Sequence, residues 1–367
     1  MMKKEVSLRQ IAYMYILISI APILRQIPNS LASQAGRSGY LSPLWSILAI
    51  IPITAIIISL IKSFPGLNYY ELMATILGKV LSKIVIFSYL IWLMITIPTK
   101  LNAYSLTLQF TLMPRTKTSF FLVTIVVLIF YGLSKGIRTI FRFAEFIVGP
   151  ILILFLVLFI FAFSKIRPDY LIPVAYNNIS DTIIASKNVL AVGGYIIIAL
   201  VFADKYGLRV SKKNINKLWV GTILFVILAF LVTVFTYGVT GADLAASLPF
   251  PFYITVKSIS LFNIFERFEV LITLICIISD FISISIYSVI LVRCFVWLFN
   301  LKEKTFLYVP LTVIVYYLTY FISSSQFEYE FFYKSILVNL NLVFQYLIPL
   351  FIGLIGLLKK KAIRKQY

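Results

Sequence analysis

A chain of 367 residues that is 61% hydrophobic, 16% aromatic and only 13% charged, with a mean hydropathy of +1.00, has too little polar surface for a water-soluble globule. Apolar stretches recur along the whole length and leave no hydrophilic block large enough for a separate soluble domain, so residues 1–367 read as one integral membrane domain. The net charge of +20 raises the question of a nucleic-acid partner, which the placement of the basic residues answers.

In chain order, runs long and apolar enough to cross a bilayer fall at 11–33, 42–61, 84–112, 119–134 and 139–164. The second five fall at 188–203, 218–240, 270–292, 305–323 and 335–358. The stretch 244–265 reads as a loop or as a re-entrant or surface helix. With the N-terminus inside, the inner segments hold 22 Lys and Arg and the outer loops 9, while Arg25 and Lys100 lie within spans. That bias is the one expected of an even number of spans with both termini cytoplasmic, so the lipid bilayer explains the charge and no nucleic acid is required. The first run carries Pro22, Arg25 and Gln26 before any small-residue cleavage pattern, so it reads as a retained span rather than a signal peptide.

The residues limit the chemistry. There is no histidine, and Cys276 and Cys294 lie eighteen residues apart, roughly 27 Å along a helix. That separation is beyond disulfide reach, and neither a zinc site nor a His-based triad can be assembled. No glycine-rich phosphate loop is present. Glu266 and Glu269 stand at i and i+3, a thin basis for carboxylate catalysis. Binding or transport without a cofactor, not enzymology, is the expected class.

A charge at the centre of a membrane helix costs about 2.5 to 3.5 kcal/mol on insertion scales, so it needs a partner, a water cavity or a function. Arg25, Lys100 and Asp280 are such residues in the first, third and eighth spans. Asp280 shares a stripe with Thr273, Cys276, Ser283 and Tyr287, and Lys100 shares one with Thr96, Tyr104 and Thr107. Each stripe must face protein or water. A structural ion pair of Asp280 with Lys100 or Arg25 and a ligand role both satisfy the pattern.

Two spans also carry helix breakers. Pro22 and Pro28 bracket Arg25, with Gln26 and Asn29 beside it, and Gly193 and Gly194 sit near the centre of the short sixth span. Spans one and six correspond if ten helices form two five-helix halves of opposite orientation, and matched breaks point to a midplane site. Pro52 and the Gly149-Pro150 pair show that ordinary kinks occur here too.

Several stretches resemble the spore germination permease family, the B subunits of nutrient germinant receptors within the amino acid-polyamine-organocation superfamily. They are "LRQIPNSLASQAGRSGYLS", "FPGLNYYELMATILGKVLSKI", "RPDYLIPV" and "PFPFYITVKSISLFNIFERFEVL", in this order and spacing along nearly the whole chain. The resemblance implies an all-α fold of ten transmembrane helices in a LeuT-like 5+5 inverted repeat, with an amino acid site between helices one, three, six and eight. It also implies residence in the spore inner membrane and partnership with germinant receptor A and C subunits, nutrient binding triggering ion and dipicolinate release. Where relatives often carry an acidic residue in helix six, this chain has Tyr195, so the ligand's identity does not carry over.

The expected ligand residues are Arg25, Gln26, Asn29, Lys100, Tyr104, Gly193, Gly194, Tyr195 and Asp280. A zwitterionic nutrient of the amino acid class would place its carboxylate at Arg25 and the broken first helix. Its ammonium would meet open carbonyls near Gly193 and Gly194, or Asp280, with Lys100 as counter-ion to Asp280 in the empty site. The alternative is a proton- or sodium-coupled amino acid transporter, and a third is a scaffold that only anchors partner subunits.

Overall fold

The structure is a computed structural model and describes residues 6–172, 179–206, 212–258, 268–323 and 325–363. Among them every regular element is helical. In chain order the helices are α1 (Leu8–Arg25), α2 (Ile27–Ala35), α3 (Ser42–Ser63), α4 (Tyr69–Leu77), α5 (Lys79–Thr111) and α6 (Thr118–Lys135). Then come α7 (Ile137–Phe163), α8 (Ile179–Gly193), α9 (Ile198–Val201), α10 (Lys212–Thr240), α11 (Ala242–Ser247) and α12 (Pro251–Lys257). The last are α13 (Phe268–Phe299), α14 (Tyr308–Ile322), α15 (Gln326–Phe332), α16 (Val338–Leu342) and α17 (Ile348–Ile363). They supply 10 stretches long and apolar enough to cross a membrane.

Local sequence sets several boundaries. Ser7 caps α1 in a reciprocal box with Gln10, and Asn68 caps α4 in the same way with Glu71, each pair satisfying two N–H groups that a helix start leaves free. Gly136, at φ +84°, turns the chain between α6 and α7. The first expected span, 11–33, is divided: α1 ends at Arg25, and α2 runs through the 3-10 turn Gly36–Leu41 directly into α3. Pro28 accounts for this, because it offers no N–H to the preceding turn. In the 244–265 stretch the described part forms the short helices α11 and α12, while 259–267, including Glu266, lies outside the described residues.

Burial sorts the spans. The windows in the first, sixth and eighth are 83%, 78% and 78% buried, against 28% and 22% in the fifth and ninth. The former make the interior and the latter the lipid-facing wall, where Phe146, Ile153 and Phe321 stand exposed. α13 packs along α5, and α1 is enclosed by α10, α13 and α7. The helices that carry Arg25, Lys100 and Asp280 therefore converge, while Cys276 and Cys294 remain free thiols on α13.

Candidate functional site

Arg25 is the last residue of α1 and 4% exposed. Its Nη1 donates to Asp280 Oδ2 at 2.7 Å, to Thr107 Oγ1 at 2.8 Å and to the Ala103 carbonyl at 3.1 Å, and its Nη2 donates to Asp280 Oδ1 at 2.7 Å. This fork-on-fork pair ties α1, α5 and α13 together. Asp280 is 2% exposed, so the pair is buried and stands in place of water for both charges. Of the two pairings that the sequence left open, the structure takes Arg25.

A second contact joins α13 to α1 one turn earlier. The hydroxyl of Ser279 donates to the Leu17 carbonyl and accepts from the Ala21 N–H at 3.0 Å, two groups that pair with each other in a regular helix. The helix continues regularly past this contact and through Pro22 to Arg25. Ser279 stands three residues after Cys276 and four before Ser283, at the edge of the polar stripe, but a lone serine carries no charge to mark it.

Lys100 is in a different situation. It is 6% exposed, yet among the described residues no carboxylate lies within 4 Å of its Nζ. Nζ donates to the Tyr195 hydroxyl at 3.2 Å and lies 4.5 Å from the centre of the Tyr195 ring and 5.0 Å from that of Tyr287. The expected Lys100–Asp280 contact is thus replaced by an aromatic one. Among the described residues the buried hydroxyls of Tyr287, whose ring faces Lys100, and of Tyr333 in the tenth span have no hydrogen-bond partner.

The sixth span breaks where the glycines stand. α8 ends at Gly193, a 3-10 turn covers Gly194–Ile197, and α9 follows. The Gly193 carbonyl is not open: it accepts the Tyr15 hydroxyl at 3.0 Å. A Cβ at Gly194 would overlap Gln345 Oε1 and stand 2.6 Å from Gln345 Cβ, so this glycine allows close approach of the π-helical stretch Val343–Leu347. Among the described residues, both amide atoms of Gln345 and the hydroxyl of Tyr346 are buried without a hydrogen-bond partner. This contribution of the tenth span went unforeseen, because Gln and Tyr in a long apolar run carry no charge to mark them.

The remaining candidates lie around the cluster. Gln26 Nε2 donates to the Tyr329 hydroxyl, with its Oε1 unpaired. Asn29 Nδ2 donates to the carbonyls of Ala246 at 2.9 Å and Leu248 at 2.8 Å, and its Oδ1 accepts from Lys334 at 2.7 Å, so it clamps α2 to the chain around α11. Gln26, Asn29, Tyr329 and Tyr333 line a cavity of about 20 Å³ above Arg25, roughly the room of a single water. Tyr104 is buried beside Thr124 of α6. Arg25, Lys100, Tyr195 and Asp280 are thus brought together, with Gln26 and Asn29 on the cavity beside Arg25 and Tyr104 against α6.

A family model described as "Spore germination protein" matches residues 5–328, most of the chain and all four helices that carry the cluster. The chain belongs to the spore germination permease family. Among curated proteins it is 24% identical to spore germination protein KB of Bacillus subtilis (strain 168), over 100% of this chain and 98% of that protein. Its ten apolar spans make this spore germination permease a multi-pass membrane protein. The family match ends just before Tyr329, so the tenth-span residues Tyr333 and Gln345 lie beyond it.

Proposed function

We propose that this chain is the membrane subunit of a nutrient germinant receptor and binds a small zwitterion of the amino acid class at the Arg25–Lys100–Asp280 cluster. The observation that carries the reading is the count of ionisable groups: two buried basic side chains face one buried carboxylate, and that carboxylate already accepts both arms of the Arg25 fork. A ligand carboxylate belongs on Lys100, where it would complete the pairing and give the Tyr287 hydroxyl an acceptor. Its ammonium would reach the free lone pairs of Asp280. The expected carboxylate position thus moves from Arg25 to Lys100, because Arg25 is already held by four hydrogen bonds.

Binding here would act between α1, α5, the Gly194–Ile197 turn and α13. A ligand signals only if it favours one arrangement of these helices over another. The partners of such a subunit would be the receptor A and C subunits, in the spore inner membrane. The test is deletion of this chain in its spore-forming source, followed by dipicolinate release across a panel of single amino acids. Loss of the response to one or a few, with non-nutrient triggers intact, supports a receptor; an unchanged response to every nutrient removes the reading.

Transport is the second reading, favoured by the interruption of both the first and sixth spans near the buried charges, as in secondary transporters. Net accumulation of the labelled ligand in proteoliposomes under a proton or sodium gradient would decide for it.

A further inference from the structure

Away from the charged cluster, an open apolar groove of about 630 Å³ runs between α7 and α10 on the lipid-facing surface. Phe155, Phe159 and Phe235 form its floor, and Leu156, Ile160 and Phe163 its exposed rim. The floor is rigid: the Phe159 and Phe235 rings stack with centroids 4.8 Å apart and planes 10° apart. Along α7 the lining extends from Leu152 to Phe163, roughly 17 Å at the helical rise. That is about half of a hydrocarbon core of about 30 Å, the depth of one leaflet.

At Phe163 the helix ends, and the chain crosses toward α10. The Arg167 N–H donates to the Gly238 carbonyl at 2.7 Å, and Ile166 packs against Gly238. Lys165 and Arg167 are thereby held, exposed, at the mouth of the groove. Among the described residues neither has a carboxylate within 4 Å; Arg167 Nη1 donates to the Tyr170 hydroxyl at 3.3 Å, and Asp169 is exposed nearby without pairing either cation. The charge bias assigns this end to the face that is poor in Lys and Arg, so the positive-inside rule does not account for the two cations.

We propose that the groove is a binding site for an anionic phospholipid, one acyl chain lying on the phenylalanine floor and the phosphate resting against Lys165 and Arg167. A partner transmembrane helix fits less well. It would traverse both leaflets, whereas the groove stops near mid-depth, and an apolar helix gives the cation pair nothing to bind.

The full chain, reconstituted in nanodiscs of equimolar phosphatidylglycerol and phosphatidylcholine, is released into the gas phase and its retained lipids weighed by native mass spectrometry. Preferential retention of phosphatidylglycerol is expected, and K165Q/R167Q should reduce that preference by on the order of tenfold. Both substitutions are at exposed positions, so the fold is not at stake. Benzoylphenylalanine in place of Ile160, irradiated in cells, should yield an adduct of phospholipid mass. Equal retention of the two lipids, retention indifferent to K165Q/R167Q, or a polypeptide adduct at position 160 would each overturn the proposal.

Discussion

Arg25 and Lys100 carry the same charge in the same membrane interior but stand in opposite electrostatic situations. Arg25 has a bidentate anion and two further acceptors, whereas Lys100 has a hydroxyl and two ring faces. Removing the carboxylate leaves a buried guanidinium uncompensated, so Asp280→Asn should lower stability by about 3 to 5 kcal/mol, seen as a fall in unfolding temperature of the purified protein. Lys100→Met should do the reverse. It replaces a buried unpaired charge with an apolar chain of similar length, so stability should hold or rise while the spore response to the ligand is lost. An unchanged dose response in Lys100→Met spores would remove the carboxylate from that position. All three charged residues were legible in the sequence, since a charge in an apolar run is conspicuous; which of them pair was not, because pairing is set by helices 75 to 255 residues apart in the chain.

At the scale of elements, the breaks in the first and sixth spans were foreseen from proline and glycine, but their causes differ. The first span breaks after Arg25, where Pro28 offers no N–H to the preceding turn. The Gly194–Ile197 turn accommodates the tenth span, so its glycine is a steric necessity. Gly194→Ala should therefore destabilise the protein by about 1 to 3 kcal/mol. Adding Gln345→Ala should recover only part of this, since it removes Oε1 but leaves the Cβ that stands 2.6 Å from the new methyl. Full recovery in a double-mutant unfolding experiment would mean that the amide alone makes the clash.

Across the whole molecule, one end of the bundle is joined by polar contacts. Arg9 and Gln10 of α1 bind Glu145 of α7, Arg293 of α13 donates to Asp204 at 2.7 Å, and the Val6 N–H reaches the Lys205 carbonyl at 3.3 Å. The charge bias assigns this end to the cytoplasm. Ser134→Cys and Ser164→Cys lie at exposed positions at opposite ends of adjacent spans. An impermeant maleimide should label Ser164→Cys in intact cells and Ser134→Cys only after permeabilisation, while the buried Cys276 and Cys294 stay silent. The opposite pattern would invert the orientation.

Composition and hydropathy alone determined that this is a ten-span membrane protein, because burying a peptide in hydrocarbon demands long apolar helices and writes them plainly into the chain. The resemblance pointed to its family, and the charged residues marked where to look. Only the tertiary structure decided that Arg25 belongs to Asp280, that Lys100 stands among tyrosines, and that Asn29 clamps α2 to the chain around α11. In hydrocarbon, lipid-facing and helix-facing surfaces are alike apolar, so the side of a helix on which a Ser, Gln or Tyr finds its partner is settled by packing and leaves no periodic trace.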